Sequence, residues 1–188
     1  MVCKPLILLL SVTMMLSAGG AAFAYSNVAL NQPVTHSGTF GSTIDKFPTV
    51  DDGTFLAEGT HWQSGTVWWV NSLSPTLTIA LGMDYVVDKF RVQADNNDTY
   101  ALYAYDGGLL VHTANFSTYG GGGMRTRPDY NLVTPITIDS LVFKATGGDN
   151  SYSVSEIQAW GDPIPLPASV LLLASGLAGL GCWRRIRG

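Results

Sequence analysis

Six short segments of the chain have the character of β-strands, and in two of them, residues 76–81 and 86–94, hydrophobic and polar residues alternate as in a strand with one buried face. These segments are residues 76–81, 86–94, 100–105, 109–113, 136–145 and 152–160. Gly82 ends the first segment, and Asp106-Gly107-Gly108 is a hairpin-turn signal between the third and the fourth. No intervening segment has the period of an amphipathic helix. The pattern therefore predicts an all-β domain, a sandwich or a barrel of short strands.

A non-alternating apolar segment lies near the start of the chain, at residues 6–16. It follows Lys4 and precedes a small-x-small cleavage motif at residues 22–24. A positive start, a short apolar segment and such a motif are the parts of a secretory signal peptide. We therefore expect a signal peptide over residues 1–24 and a mature chain that begins at Tyr25.

A second apolar segment, residues 164–183, lies near the end of the chain and is followed by Arg184, Arg185 and Arg187. A helix of about 20 apolar residues is long enough to cross the hydrocarbon core of a membrane. Arginines at its end favour the cytoplasmic side. The segment is therefore interpreted as a transmembrane helix, with the preceding domain outside the cytoplasm.

A proline motif precedes this apolar segment, Pro163-Ile164-Pro165-Leu166-Pro167. Together with the arginine cluster it resembles the PEP-CTERM sorting signal of Gram-negative bacteria, so residues 162–188 would form a sorting tail. The resemblance implies an exosortase and the secretion machinery as partners, and delivery to the outer cell surface or extracellular matrix. Leu166 stands where the usual motif has glutamate, which leaves the cleavage point open. An ordinary membrane anchor is the alternative.

The exported domain, residues 25–161, is acidic and lacks cysteine. It holds six Lys and Arg against thirteen Asp and Glu, a net charge of −7, whereas the whole chain has −4. Such a charge argues against nucleic acid as a partner and is compatible with neutral sugars and divalent cations. Because no disulfide can form within the domain, a metal ion is a candidate for stabilising it.

Five short motifs occur in a characteristic order through the exported domain. They are residues 27–33 (NVALNQP), 50–53 (VDDG), 62–64 (WQS), 77–82 (LTIALG) and 154–161 (VSEIQAWG). In this order they resemble discoidin, or coagulation-factor C-type, domains and the related galactose-binding-like carbohydrate-binding modules. The resemblance implies an eight-stranded jelly-roll β-sandwich over residues 25–161. The cysteine pair of the animal members is absent, and the family's variable ligand loops leave its binding residues without a match here.

A structural calcium ion is implied by the same resemblance. Matched by position, its ligands would be Asp52 with Asp51 as neighbour or substitute, Thr54, Glu156 and main-chain carbonyls near Phe47. Calcium takes six to eight oxygen ligands, which a loop of carboxylates and carbonyls can supply. The alternative is a plain turn at residues 51–53 and a solvated Glu156.

An aromatic cluster supplies the first candidates for ligand binding, His61, Trp68 and Trp69. Adjacent residues of an extended strand point to opposite faces, so one of the two tryptophans should be in the core and the other could stack on a sugar ring. Trp62 matches an internal tryptophan of the family, and we expect it in the core.

Two loops supply the remaining candidates. Residues 95–98 (DNND) precede Tyr100, and Asp95, Asn97 and Tyr100 could bind sugar hydroxyls or a second cation; a polar turn is the alternative. A glycine-rich loop at residues 119–127 ends in Arg125 and Arg127, which could contact a carboxylate or form surface salt bridges.

Motifs of catalysis are not found, since His36, His61 and His112 have no metal-binding spacing and no nucleophile motif occurs. The sequence therefore predicts an exported binding module rather than an enzyme, with carbohydrate, the cell's own exopolysaccharide, as ligand. A structural matrix or protein–protein adhesion module is the alternative, and a glycan-active enzyme is the weakest reading.

Overall fold

Nine β-strands and one 3₁₀ helix form the part of the chain that the structure, a computed structural model, describes: residues 24–164. The strands are β1 (Ser26–Asn27), β2 (Val34–Ser37), β3 (Val67–Val70), β4 (Thr76–Asp95), β5 (Thr99–Asp106), β6 (Leu109–Phe116), β7 (Met124–Thr126), β8 (Tyr130–Gly147) and β9 (Ser151–Pro163). The helix covers Ile44–Asp51. The predicted all-β class is confirmed, and each predicted strand lies within an observed one.

The strands pair antiparallel in the order β1-β9-β4-β8-β5-β6. β2 and β7 also pair with β4, and β3 also pairs with β9. The long strand β4 therefore has partners on both sides along most of its length. β9 lies between β1 and β3 on one side and β4 on the other.

Gly82 marks a β-bulge rather than the end of a strand. The predicted strands 76–81 and 86–94 form one continuous strand, β4. Ala80 pairs with Ser140 of β8 and the next partner is Tyr85, so four residues of β4 lie opposite one residue of β8. Gly82 has φ +78, a conformation that glycine adopts without a steric penalty. Such a bulge bends a strand without ending it, which lets β4 contribute to both layers of the sandwich.

The core is filled from both layers by large side chains. Its largest fully buried members include Trp69, Tyr100, Phe143 and Tyr152. Every residue from 152 to 159 of β9 is buried. Since a strand alternates its faces, both faces of β9 must be covered, and polar residues on the second face become buried as well.

The predicted signal peptide lies outside the described residues apart from Ala24, and so does the tail from Pro165 onward, including Leu166, Pro167 and the three arginines. Pro163 is the last residue of β9, opposite Tyr85. Within residues 24–164 no helix is long and apolar enough to cross a membrane.

Alternation within β3 predicts different effects of removing its two tryptophans. Trp69 is 1% exposed, whereas Trp68 is half-buried. We expect Trp69→Ala to lower the free energy of unfolding by about 3–5 kcal/mol because it leaves a large cavity. Trp68→Ala should cost clearly less. Chemical denaturation of both variants measures this, and equal losses would contradict the assignment of Trp69 to the core.

Candidate functional site

A groove of about 420 Å³ lies at one end of the sandwich, where the β4–β5 and β8–β9 turns meet two loops. Its lining residues are Gly59, His61, Trp62, Asp95, Asn96, Asn97, Gly122, Gly123, Asp149 and Ser151. Several are polar side chains, and Trp62 is the largest apolar side chain among them. Such a concave site with one aromatic face and fixed polar groups is suited to a small polar ligand.

Asn96 joins the loops around this groove. Its backbone N–H donates to the carbonyl of Gly123 (3.1 Å), and its own carbonyl accepts from the N–H of Tyr119 (2.7 Å). Its side-chain amide donates to the carbonyl of Gly121. Gly123 has φ +66 and approaches the backbone of Gly59 so closely that a Cβ would clash. The glycine-rich loop therefore packs against the β4–β5 turn and forms one wall of the groove.

Arg127 lies beneath the groove and holds the β4–β5 turn from inside. It is 3% exposed, and its Nη2 donates to the backbone carbonyls of Asp95 and Asp98, the latter at 3.3 Å. Its Nε and Nη1 have no partner among the described residues. Arg127 does not line the groove. The prediction that Arg127 contacts ligand or forms a surface salt bridge is therefore wrong, because the side chain is buried against the β4–β5 turn.

Asp98 connects the two turns in the interior and is 0% exposed. Its Oδ1 accepts from the N–H of Asp149 (3.1 Å), and its Oδ2 accepts from the hydroxyl of Tyr100 (3.1 Å). Burial raises the pKa of Asp98 to about 6. Tyr100 itself is 0% exposed and stacks on Phe143. As a ligand contact Tyr100 is thus excluded in this structure, because its ring belongs to the core.

The aromatic residue of the groove is Trp62, which was expected in the core. Trp62 is half-buried and packs edge-on against Trp68, with ring centroids 5.4 Å apart. Trp68 does not line the groove and supports Trp62 from the side. Trp69 lies in the core against Phe40 and Tyr152. The expectation that Trp62 belongs to the core is therefore wrong, because its half-buried side chain lines the groove.

His61 and Arg125 have different relations to the groove. His61 is exposed and lines it, and its Nδ1 accepts from the N–H of Gln63 (3.3 Å), so the ring can donate from Nε2. Arg125 does not line the groove; its Nη1 lies 3.4 Å from Glu58 Oε2. The structure thus gives Arg125 the salt bridge that was the alternative to ligand contact.

Two carboxylates face the groove in fixed positions. Asp149 accepts from Asn97 Nδ2 (2.7 Å) and from the N–H of Ser151 (2.9 Å). Asp95 is 4% exposed, and its Oδ1 accepts from the N–H of Asn96 (3.0 Å). Burial raises the pKa of Asp95, and the nearby charge of Asp149 adds to that rise. The predicted residues Asp95 and Asn97 therefore do lie together with His61 at one site.

A second site joins the carboxylates predicted for calcium. Asp51 is 1% exposed, and its Oδ2 accepts from the N–H of Gln32 (2.7 Å). Glu156 is 0% exposed, and its Oε1 accepts from the N–H of Gly53 (3.1 Å) and from Gln158 Nε2 (3.0 Å). Glu156 is thus not the solvated strand residue of the alternative reading.

Each of these two carboxylates keeps one enclosed oxygen without a hydrogen bond, Asp51 Oδ1 and Glu156 Oε2. Burial raises the pKa of Asp51 to about 6, and the charge of Asp52 adds to that rise. Burial raises the pKa of Glu156 to about 8, and the charges of Asp52 and Asp51 add to it. Buried carboxylate oxygens without a partner are costly, and a hard cation satisfies them. Asp51 and Glu156 would therefore supply two of the six to eight oxygens that calcium takes. Asp52 is exposed and accepts from the N–H of Thr54 (2.7 Å), so both stand at the edge of this pair.

A third acidic group was missed in the sequence, because its members lie on three different strands. Carboxylate oxygens of Asp84, Asp106 and Asp139 lie within 4.8 Å of one another. Asp84 is exposed and the other two are half-buried, and Asp139 Oδ2 accepts from the N–H of Gly107 (2.8 Å). Exposed carboxylates can be solvated by water, so this group alone does not define a site.

The chain matches no protein-family model and no curated protein. Its fold is similar to a fucose binding module of Streptococcus pneumoniae, SpX-3, with 13% identity, a TM-score of 0.55 and coverage of 71% of this chain and 96% of that one.

It is also similar to a fucolectin from the serum of striped bass, Morone saxatilis (14% identity, TM-score 0.55, 74% of this chain and 50% of that one). A third similar structure is the lectin domain of lectinolysin complexed with Lewis B antigen. It has 11% identity and a TM-score of 0.52, with coverage of 71% of this chain and 95% of that one. At these identities the likeness shows the fold alone, and it confirms the predicted β-sandwich.

Burial of Asp98 predicts a pH-dependent stability. A carboxyl group whose pKa is raised on folding, here from 3.8 to about 6, stabilises the folded state below pH 3.8 and loses that contribution as pH rises through 6. Asp98→Asn removes this dependence. Between about pH 4 and 7 the variant should gain on the order of 1–3 kcal/mol relative to the original chain.

Thermal melts in chelator across this range test the prediction for Asp98. Asp162→Asn is the control, because Asp162 is exposed near the end of β9. Its pH dependence should follow that of the original chain. A constant difference between Asp98→Asn and the original chain at all pH values would contradict the prediction.

Proposed function

We propose that this protein is a carbohydrate-binding module whose ligand lies in the groove at Trp62. The observation that carries the proposal is the half-buried indole of Trp62 in a groove with oriented polar side chains. The apolar face of a sugar ring stacks on an indole, while its hydroxyls need hydrogen-bond partners in fixed directions. The fucose binding module and the two lectins with a similar fold support the proposal.

Preorganised polar groups give the groove its recognition chemistry in this proposal. Asn97 and Asp149 hold each other, and Asp149 is also fixed by a backbone N–H. His61 can donate and Asp95 can accept without prior rearrangement of the loop. Because these groups are ordered before binding, a ligand does not have to offset the entropy of ordering them.

Replacing Trp62 tests the proposal directly. Trp62→Ala should weaken glycan binding by about tenfold or more, because it removes the stacking surface. Trp160→Ala is the matched control, since Trp160 is a half-buried indole at the other end of β9, nine residues from Ser151 and therefore about 30 Å away.

The measurement for Trp62 is a glycan array with an exopolysaccharide pull-down, with and without calcium. Retention of full binding by Trp62→Ala, in a variant that melts like the original chain, would contradict this site. A blank array for the folded original chain would contradict carbohydrate binding itself and would favour the alternative below.

We also propose that Asp51 and Glu156 bind a structural calcium ion, with Asp52 and Thr54 at its edge. When bound, the ion would neutralise buried carboxylates and supply the partner that Asp51 Oδ1 and Glu156 Oε2 lack. It would act as the cross-link that the cysteine-free domain does not have.

Glu156→Gln separates the effect of calcium from that of burial. The original chain should be stabilised by about 2.7 kcal/mol at a calcium concentration about 100 times its Kd. Glu156→Gln should lose this response, and in chelator near neutral pH it should melt above the original chain, because the original chain must protonate Glu156 on folding and glutamine has no such cost. Glu58→Gln, at a surface salt bridge, should keep the response. Equal melting of the original chain in calcium and in chelator would remove the metal from the proposal.

Export and sorting complete the proposed function. The signal peptide and the tail, residues 1–24 and 162–188, support secretion, processing by an exosortase and a location at the envelope or in the matrix of a Gram-negative bacterium. An exopolysaccharide of the same cell would then be the natural ligand. This step rests on the resemblance of the tail, and fold alone does not assign a ligand.

A structural or protein–protein adhesion module remains a second candidate because of strand β6. Among the described residues β6 has a ladder partner only in β5, and Leu109, Leu110 and Val111 are exposed along it. The strand has no charged residue to discourage pairing with another strand. Protein binding at this edge together with a blank glycan array would favour the second candidate.

A further inference from the structure

The charge that a ligand meets in the groove is negative, although two arginines lie nearby. Asp95 and Asp149 line the groove, and His61 is the remaining titratable residue of its lining. The guanidinium of Arg127 is buried and bonded to backbone carbonyls, and that of Arg125 faces Glu58. Neither arginine is a lining residue.

Asp95 presents an oxygen that is ready for a cationic donor. The side chain is 96% buried, its Oδ1 is occupied by the N–H of Asn96, and its Oδ2 has no hydrogen bond within residues 24–164. Asp95 Oδ2 is not fully enclosed, and Asp95 lines the groove. A hydrogen bond from a charged donor to such an oxygen is stronger than one from a hydroxyl.

Asp149 adds a second carboxylate to the lining of the same groove. Its charge contributes to the raised pKa of Asp95, so the two carboxylates repel each other across the groove. Asn97 Nδ2 and the N–H of Ser151 fix its direction. A cation placed between Asp95 and Asp149 would relieve this repulsion, whereas an anionic ligand would increase it.

We infer that the groove binds a sugar with a free, protonated amino group, a hexosamine residue, in preference to its N-acetylated, neutral or acidic counterparts. This inference rests on the carbohydrate-binding function proposed above and names the ligand class of the same groove. Trp62 would contact the ring of the sugar, and the ammonium group would donate to Asp95 and Asp149. The carboxylate of a uronic acid would add a further negative charge to a domain whose net charge is already −7.

The test compares β-1,4-linked oligosaccharides of equal length and different charge. Calorimetry on the purified protein would use glucosamine, N-acetylglucosamine and galacturonic acid oligomers at about pH 6, where an aliphatic amine is protonated. The glucosamine oligomer should bind about tenfold more tightly than the acetylated one, and the galacturonic acid oligomer should not bind measurably. The preference should decrease with added salt.

Two single variants locate the effect, and a third controls for net charge. Asp95→Asn and Asp149→Asn should each reduce the ratio of the affinities for the glucosamine and acetylated oligomers about tenfold. Asp149 is exposed, so its variant tests the inference even if Asp95→Asn folds poorly. Asp84→Asn removes the same charge on the order of 30 Å along β4 and should keep the preference.

The outcomes distinguish this inference from the function on which it rests. Equal affinity for the glucosamine and acetylated oligomers would overturn the charge preference and leave carbohydrate binding intact. Loss of preference in Asp84→Asn as well would show an effect of net charge and would also overturn the inference. Absence of binding to any oligomer or to the glycan array would contradict the proposed function itself.

Discussion

The groove and the pair of buried acids, Asp51 and Glu156, depend on one constraint. Polar side chains are buried between β4, β9 and the loop that covers these strands, and they need hydrogen-bond partners there. Gln93 of β4 shows how it is met: its Oε1 accepts from the N–H of Leu56 (2.8 Å) and from the hydroxyl of Ser155 (2.6 Å). Its Nε2 donates to the carbonyl of Leu56 (2.9 Å). A buried amide left without partners would destabilise the fold, so the covering loop is held where these bonds can form. Here burial fixes the loop position more firmly than apolar contact alone would.

One segment, residues 53–60, connects the pair of buried acids to the groove. Its start is bonded to Glu156 through the N–H of Gly53, its middle to Gln93, and its end to the backbone of Met124. Trp62 follows two residues later. Neutralising Glu156 would thus steady the same segment that places the indole in the groove. The groove and the proposed calcium site differ in chemistry but share this segment, so the proposed ion would influence ligand binding without touching the ligand.

Periodicity in the sequence was sufficient for the strands and insufficient for the site. The six predicted segments all lie within the five long strands, and alternation correctly predicted that one of Trp68 and Trp69 is buried, without saying which. It did not reveal β7, a three-residue strand whose pairing with β4 carries Arg127 into the interior. Whether Tyr100, Arg127 and Trp62 are buried or line the groove depends on which loops fold over them. Such contacts join residues far apart in the chain, and local spacing carries no signal for them.

The buried guanidinium of Arg127 explains how acidic groups can gather around the groove. Without a nearby cation, Asp95, Asp98 and Asp149 would repel one another at a turn that is partly removed from water. Arg127 offsets this repulsion from below while it bonds to the backbone of the turn. Because its charge is enclosed, it stabilises the turn without offering a contact to a ligand in the groove. The sign of the charge in the groove is therefore set by the depth at which each charged group lies, since Asp95 and Asp149 line the groove and Arg127 does not.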